Sequence, residues 1–181
     1  LFLSLLGGGR VLHTSLYSAD ISNRMVPGLR VFYFEGKYSA VRQVPDRDIA
    51  VSKKGKPGAI ISMMNHQYGQ NEVFDSGRNR EVGVQITGYL LLDQKGSYEF
   101  QALSNDGVEV FIDGNSVLID QGVHSDRLSE IGRLSVQKAG WHSLKVKYFQ
   151  RKGTAAIKLF WKTPGMDAFD VIPAMAYGHL P

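Results

Sequence analysis

The feature that most constrains the fold is a strict two-residue alternation running through the second half of the chain. Val82, Val84, Ile86, Gly88, Leu90 and Leu92 fall on one side of an extended run, and Gly83, Gln85, Thr87 and Tyr89 on the other. That is the period of a strand with one face in a core. The run stops at Asp93-Gln94-Lys95-Gly96, and further short runs follow. Tyr98, Phe100 and Ala102 lead, then Val108, Val110 and Ile112, then Val117 and Ile119, with a looser loop before Leu134 and Val136. Leu144, Val146 and Tyr148 alternate against Lys145 and Lys147, and Ala155, Ile157, Leu159 and Trp161 close the series before Thr163-Pro164-Gly165. Short strands at regular spacing, separated by glycine-bearing turns such as Asp113-Gly114 and Lys138-Ala139-Gly140, predict an all-β, antiparallel β-sandwich.

Composition agrees. A chain of 181 residues that is 43% apolar supports one domain with a proper core. Twenty glycines against 6 prolines, with no long Ala/Glu/Lys/Leu blocks, predict little helix. The 21 Lys and Arg exceed the 17 Asp and Glu to give +4, a weak attraction for anions. No nucleic-acid motif accompanies that charge, so nucleic acid is not expected as a partner. The absence of cysteine removes disulfides, thiolate nucleophiles and Cys-based zinc sites. No apolar run approaches the roughly 20 residues of a spanning helix, so a membrane connection is expected only through a segment upstream.

Residues 1–27 read as an arm: apolar Leu1, Phe2, Leu3, Leu5 and Leu6, then Gly7-Gly8-Gly9, then a stretch without a clean period ending at Pro27-Gly28. Such a greasy segment needs cover, from its own domain or from a neighbour, so Leu1, Phe2, Leu3, Leu5 and Leu6 are candidate assembly residues. Residues 28–181 form the expected sandwich, opening with Leu29, Val31 and Tyr33 alternating against Arg30, Phe32 and Phe34, both faces at least half buried. Residues 44–81 are expected to be loops with short strands at 59–61 and 73–74. The Lys53, Lys54, Lys56 cluster fits a solvated loop.

Among motifs with chemistry, Ser104-Asn105-Asp106-Gly107 suits a turn, because Asn, Asp and Gly tolerate unusual backbone angles. It also places side-chain oxygens at one loop tip, the hard donors that Ca²⁺ takes, although with a single carboxylate. Asp113-Gly114 is expected to be a turn that pins strand register. The five histidines, His13, His66, His124, His142 and His179, lack ligand spacing. His124-Ser125-Asp126 has triad residue types but no nucleophile elbow. Trp141 and Trp161 lie within strands and are expected in the core. No catalytic residue emerges, so the chain is not expected to be an enzyme.

Several stretches, in this order, resemble the protective-antigen fourteen-kilodalton (PA-14) domain family: Gly28-Leu29-Arg30-Val31-Phe32-Tyr33-Phe34-Glu35-Gly36, Val84-Gln85-Ile86-Thr87-Gly88-Tyr89-Leu90, Gly96-Ser97-Tyr98-Glu99-Phe100, Ser104 through Gly114, Ala139-Gly140-Trp141-His142, and Ile157-Lys158-Leu159-Phe160-Trp161. The resemblance runs from about Gly28 to the end, including Ile172-Pro173. It implies a lectin-like sandwich that serves as a non-catalytic, extracellular or cell-surface module and often binds glycans. In sugar-binding members the turn matching Asn105-Asp106 carries two consecutive aspartates, joined by a cis peptide, that grip a Ca²⁺ coordinating sugar hydroxyls. Here the first is Asn, one formal charge fewer, which weakens metal binding. The facing loop is Gln150-Arg151-Lys152-Gly153, an exposed hairpin from which the Arg151 guanidinium could also reach Asp106 and take the cation's place. Candidate ligand-binding residues are therefore Asn105, Asp106, Gly107, Gln150 and Arg151, with Asn105 and Asp106 the candidate metal ligands of a turn expected to be metal-free. Two functions follow: glycan recognition in adhesion, or a structural subunit of a homopolymeric surface filament held by the apolar arm.

Overall fold

The computed structural model describes residues 21–46 and 55–181. Leu1, Phe2, Leu3, Leu5 and Leu6, and with them the assembly expectation, lie outside the described residues, as do Lys53 and Lys54. Fourteen strands alternate with turns: β1 Val26–Pro27, β2 Arg30–Glu35, β3 Lys56–Pro57, β4 Asn65–Gly69, β5 Val82–Leu92, β6 Gly96–Asn105, β7 Val108–Ile112, β8 Asn115–Asp120, β9 Arg127–Leu128, β10 Gly132–Val136, β11 Gly140–Gln150, β12 Ala155–Lys162, β13 Asp170–Val171 and β14 Tyr177–His179.

They make two antiparallel sheets. The larger runs β1-β14-β5-β11-β7-β8, with β2 on β5 beside β14 and β3 outside β2; the smaller runs β10-β6-β12-β13, with β9 on β6 and β4 on β12. Period-two burial produces the core between them: Val82, Val84, Ile86, Leu90 and Leu92 of β5 face Tyr98, Phe100 and Ala102 of β6 and Ile157 and Leu159 of β12 in one cluster. The expected sandwich is what forms. Trp161 is partly buried against this core, its ring 6.2 Å from that of Tyr98.

Strand β2 is buried on both faces, because its outer side is also covered. Phe32 and Phe34 join Phe149 beneath Tyr38, Val41 and Val44 in a second apolar cluster. The segment carrying those residues is held there by Asp46, whose Oδ2 accepts from Lys145 Nζ at 2.7 Å and lies 3.4 Å from Lys147 Nζ. Burial pushes the Asp46 carboxyl up, but the two ammonium groups outweigh it and hold it below the usual carboxylate range.

Two local expectations fail within residues 44–81. Strand β4, Asn-His-Gln-Tyr-Gly, forms where loop was expected. Its alternation is carried by His66 and Tyr68, whose rings stack at 5.4 Å and meet Phe74 edge-on, and a hydrophobic count misses a histidine in that role. Val73 and Phe74 form no strand: Val73 is fully buried as the anchor of a turn, and Phe74 takes φ 50°.

The connections decide where a site can form. Asp113-Gly114 joins β7 to β8 inside one sheet as a hairpin, with Asp113 at φ 49° and Gly114 at φ 78°. Residues 106–107, by contrast, carry the chain from β6 in the smaller sheet to β7 in the larger. The segments 121–126 and 151–154 also pass between layers, from β8 to β9 and from β11 to β12. Asp106 accepts from main-chain N–H groups in the latter two segments, so the three crossings meet at one end of the sandwich.

Candidate functional site

Where strands leave one sheet for another, main-chain N–H groups lose their ladder partners and need other acceptors. Asp106 supplies them. Its carboxylate is 1% exposed, with Oδ1 accepting from His124 N at 3.0 Å and Oδ2 from Arg151 N at 2.7 Å. Its own N–H donates to Phe149 O at 3.1 Å. One buried carboxylate thus ties the 121–126 loop to the 151–154 loop.

Asn105, 4% exposed, precedes it through a cis peptide. The Asn105 carbonyl accepts from Tyr148 Oη at 2.5 Å. Burial, with the Asp106 and Asp126 charges nearby, pushes the Tyr148 hydroxyl far above its ordinary pKa, so it stays a donor. The Asn105 side chain turns its amide nitrogen to Asp126 Oδ1 at 2.8 Å and Thr154 Oγ1 at 3.1 Å. A carboxylate only accepts, so that orientation of the amide is fixed by chemistry. Asp126 Oδ1 also faces Thr154 Oγ1 at 3.3 Å, and its Oδ2 accepts from Gln67 Nε2 at 3.3 Å.

The loop that brings His124 to Asp106 is braced at its base. Arg127 grips Asp120 with Nε to Oδ2 at 2.8 Å and Nη2 to Oδ1 at 2.5 Å, a two-pronged contact. That hydrogen bonding holds the Asp120 carboxyl below the usual range. Glycine is required at 107 by close approach: a Cβ there would lie 2.7 Å from Phe149 Cε1 and 2.8 Å from Gln121 O.

Above this network opens a pocket of about 380 Å³ lined by Asn105, Asp106, the 123–125 loop, and Lys152, Gly153 and Thr154. The structure therefore brings Asn105 and Asp106 to the pocket and places the other sequence-derived candidates around it. Gly107 is packed beneath. Gln150 is fully buried and donates from Nε2 to Gly153 O and Thr154 O at 3.3 and 3.2 Å, shaping the 151–154 turn. Arg151 meets Asp106 through its main-chain N–H. Its guanidinium makes no ion pair with Asp106 among the described residues and so does not take a cation's place there; the main-chain N–H already meets that oxygen. Val123, His124, Ser125, Asp126, Lys152 and Thr154 were not singled out for this site from sequence, since they lie in loops without a period. The polar residues scattered between Asp120 and Asp126 were the available signal.

The PA14 domain profile matches residues 26–174. The chain belongs to the PA14 domain family. No curated protein matches it in sequence. Among solved structures, an anti-sigma factor domain-containing protein superposes with a TM-score of 0.69 at 18% identity, over 86% of this chain and 48% of that one. The PA14 chain thus spans about half the length of that relative. The PA14 sugar-binding domain from an RTX adhesin superposes at 0.66 with 21% identity, covering 85% of this chain and 99% of that one. The Epithelial Adhesin 9 A domain from Candida glabrata, in complex with Galβ1-4GlcNAc, superposes at 0.63 with 11% identity, covering 87% and 91%. Identities this low show a shared fold.

The residues present do not fit the resident Ca²⁺ that the family resemblance implies. Both oxygens of Asp106 and both of Asp126 already accept from protein donors. The Asn105 amide nitrogen, not its oxygen, faces Asp126. Among the described residues no three His, Asp or Glu side chains come together to hold a metal.

Proposed function

We propose that this PA14 domain is a non-catalytic, extracellular or cell-surface adhesion module that recognises a glycan at the Asn105-Asp106 tip without a metal. The observation that carries the reading is the convergence of three sheet crossings on buried Asp106, which holds open a pocket of mostly apolar wall with a few polar groups at the end of the sandwich. Pockets of a few hundred Å³ with a few fixed polar groups suit a mono- or disaccharide. The Ser125 hydroxyl and the Lys152 ammonium stand at its wall as donors, and Thr154, whose proton goes to Asp126, offers a hydroxyl oxygen as acceptor. The sugar-binding RTX adhesin domain and the galactoside-bound Epithelial Adhesin 9 domain support the ligand class. The Asn105 amide and the His124 and Arg151 N–H groups donate to the two carboxylates and so solvate their charge.

A glycan array run with and without chelator tests this. Binding that survives chelator and disappears in Lys152→Ala plus Thr154→Ala supports it; silence at high protein concentration, or loss with chelator, contradicts it.

A second reading, homomeric assembly, has one structural observation in its favour. Pro27, Gly28, Ile60, Ala174 and Met175 line an apolar groove in which Ile60 is 47% and Met175 81% exposed. It lies beside β1, the first strand of the described chain. Removing residues 1–9 leaves a folded monomer if the arm drives assembly; continued assembly of the truncated chain refutes that reading.

A further inference from the structure

The outer face of the larger sheet is covered over only part of its area. Tyr38, Val41 and Val44 pack on Phe32, Phe34 and Phe149, and Asp46, the last described residue of that segment, pairs with Lys145. Beside this point the described residues leave the face open. Arg30, Thr87, Tyr89, Phe111, Ser143 and Lys145 line a groove of about 400 Å³ whose wall contains no carboxylate.

The charges around it are unequal in their pairing. Lys145 and Lys147 share Asp46, and Lys145 Nζ also sits 4.9 Å from the Phe111 ring centre. Glu109 lies 3.7 Å from Arg42 and accepts from Ser116 Oγ. Asp113, at the groove's end, is taken by His142 Nδ1 at 2.6 Å and Ser143 N at 2.9 Å. Arg30 differs: its Nη2 donates to Leu180 O at 2.8 Å, and among the described residues it has no acidic partner. A guanidinium is a planar fork of five donors, shaped for a carboxylate. This one is half buried on a wall that also offers two aromatic rings and the Thr87, Tyr89 and Ser143 hydroxyls.

We propose that this groove is a second saccharide site, separate from the loop tip, that takes an acidic sugar: a uronic acid unit of a polysaccharide, its carboxylate on Arg30 and its ring against Tyr89 and Phe111. A sugar carries one carboxylate amid several hydroxyls, matching one unpaired cation amid hydroxyls and apolar surface. An acidic peptide repeats its charge and calls for several free cations, whereas Lys145 is already held by Asp46. The two sites are distinct, because Lys145 and Gln150 stand five steps apart along β11, roughly 17 Å at about 3.4 Å per residue.

The test is titration of the whole chain with an oligouronate of four to six units, followed by calorimetry and by amide NMR shifts. A neutral oligosaccharide of equal length and a poly-glutamate peptide serve as comparators. The expected result is oligouronate binding that weakens with salt and exceeds the neutral sugar by about tenfold or more, as one desolvated carboxylate–guanidinium contact warrants. Shifts are expected at Thr87, Tyr89 and Ser143 and not at His124 or Arg151. Arg30→Gln loses the binding about tenfold and Tyr89→Ala severalfold, both with melting temperatures near the parent's. No oligouronate binding, equal binding by Arg30→Gln, shifts concentrated at His124 and Arg151, or equally tight poly-glutamate would each overturn the proposal. Since the loop-tip reading rests on other residues and on neutral glycans, either can fail alone.

Discussion

Strand β7 has an acidic turn at each end, Asn105-Asp106-Gly107 before it and Asp113-Gly114 after it. On paper they are alike; in three dimensions they are opposites. The Asp113 side chain is 52% exposed and serves one neighbouring strand, accepting from Ser143 N and pairing with His142. Asp106 is 1% exposed and serves two other loops. The first turn returns the chain within a sheet, where the ladder satisfies the backbone. The second crosses between sheets, where it does not. Topology, more than local sequence, converts an acidic turn into a candidate site.

The largest expected difference comes from removing each carboxylate. Asp106→Ala strands the part-buried N–H groups of His124 and Arg151, at about 1–3 kcal/mol each. Chemical denaturation should show a loss of about 2–5 kcal/mol, with glycan binding abolished. Asp113→Ala should cost about 1 kcal/mol or less, because water replaces the lost acceptor at an exposed turn. Equal losses at the two positions would break the comparison.

Asn105→Asp sharpens it. The substitution removes the amide donor to Asp126 and Thr154 and sets two carboxylates face to face. A loss of about 1–3 kcal/mol is expected in chelator, with millimolar Ca²⁺ restoring stability in the variant and leaving the parent unmoved. Melting curves with and without Ca²⁺ measure this. A parent chain stabilised by Ca²⁺ contradicts the metal-free account of the turn.

The pH dependence is expected to be smaller. Asp120 has its folded pKa lowered by the Arg127 contact, so it binds protons less readily folded than unfolded. Its contribution is complete above the ordinary carboxylate pKa of about 4 and is lost as pH falls through the lower folded value. Asp120→Asn should therefore flatten the stability profile below about pH 4 and cost about 1 kcal/mol at neutrality, the exposed Arg127 limiting the gain. An unchanged acid profile in the variant would remove Asp120 from the set of groups that hold the 121–126 loop.

The contrast also explains what could be seen from sequence. Alternation in 82–92 and 144–148 made strands and their buried faces legible, because period two has few other causes. Asn105 and Asp106 stood out by residue type and by family resemblance, as did the 150–153 loop opposite. Asp126 and Thr154 did not, since their partnership with Asn105 exists only once three crossings meet. Strand β4 was hidden for a related reason: its buried face rests on His66 and Tyr68 packing with Phe74, a contact absent from any local pattern. Gln150 looked like a ligand contact and is a buried brace, a distinction only the third dimension makes.

The most direct measurement is amide NMR during titration with neutral mono- and disaccharides that include Galβ1-4GlcNAc, in the presence of chelator. Shifts at His124, Arg151 and Thr154, with Asp113 and Ser143 unmoved, are the predicted result. Shifts at the Asp113 turn, or none anywhere at millimolar sugar, would contradict the assignment of recognition to the crossing that Asp106 holds together.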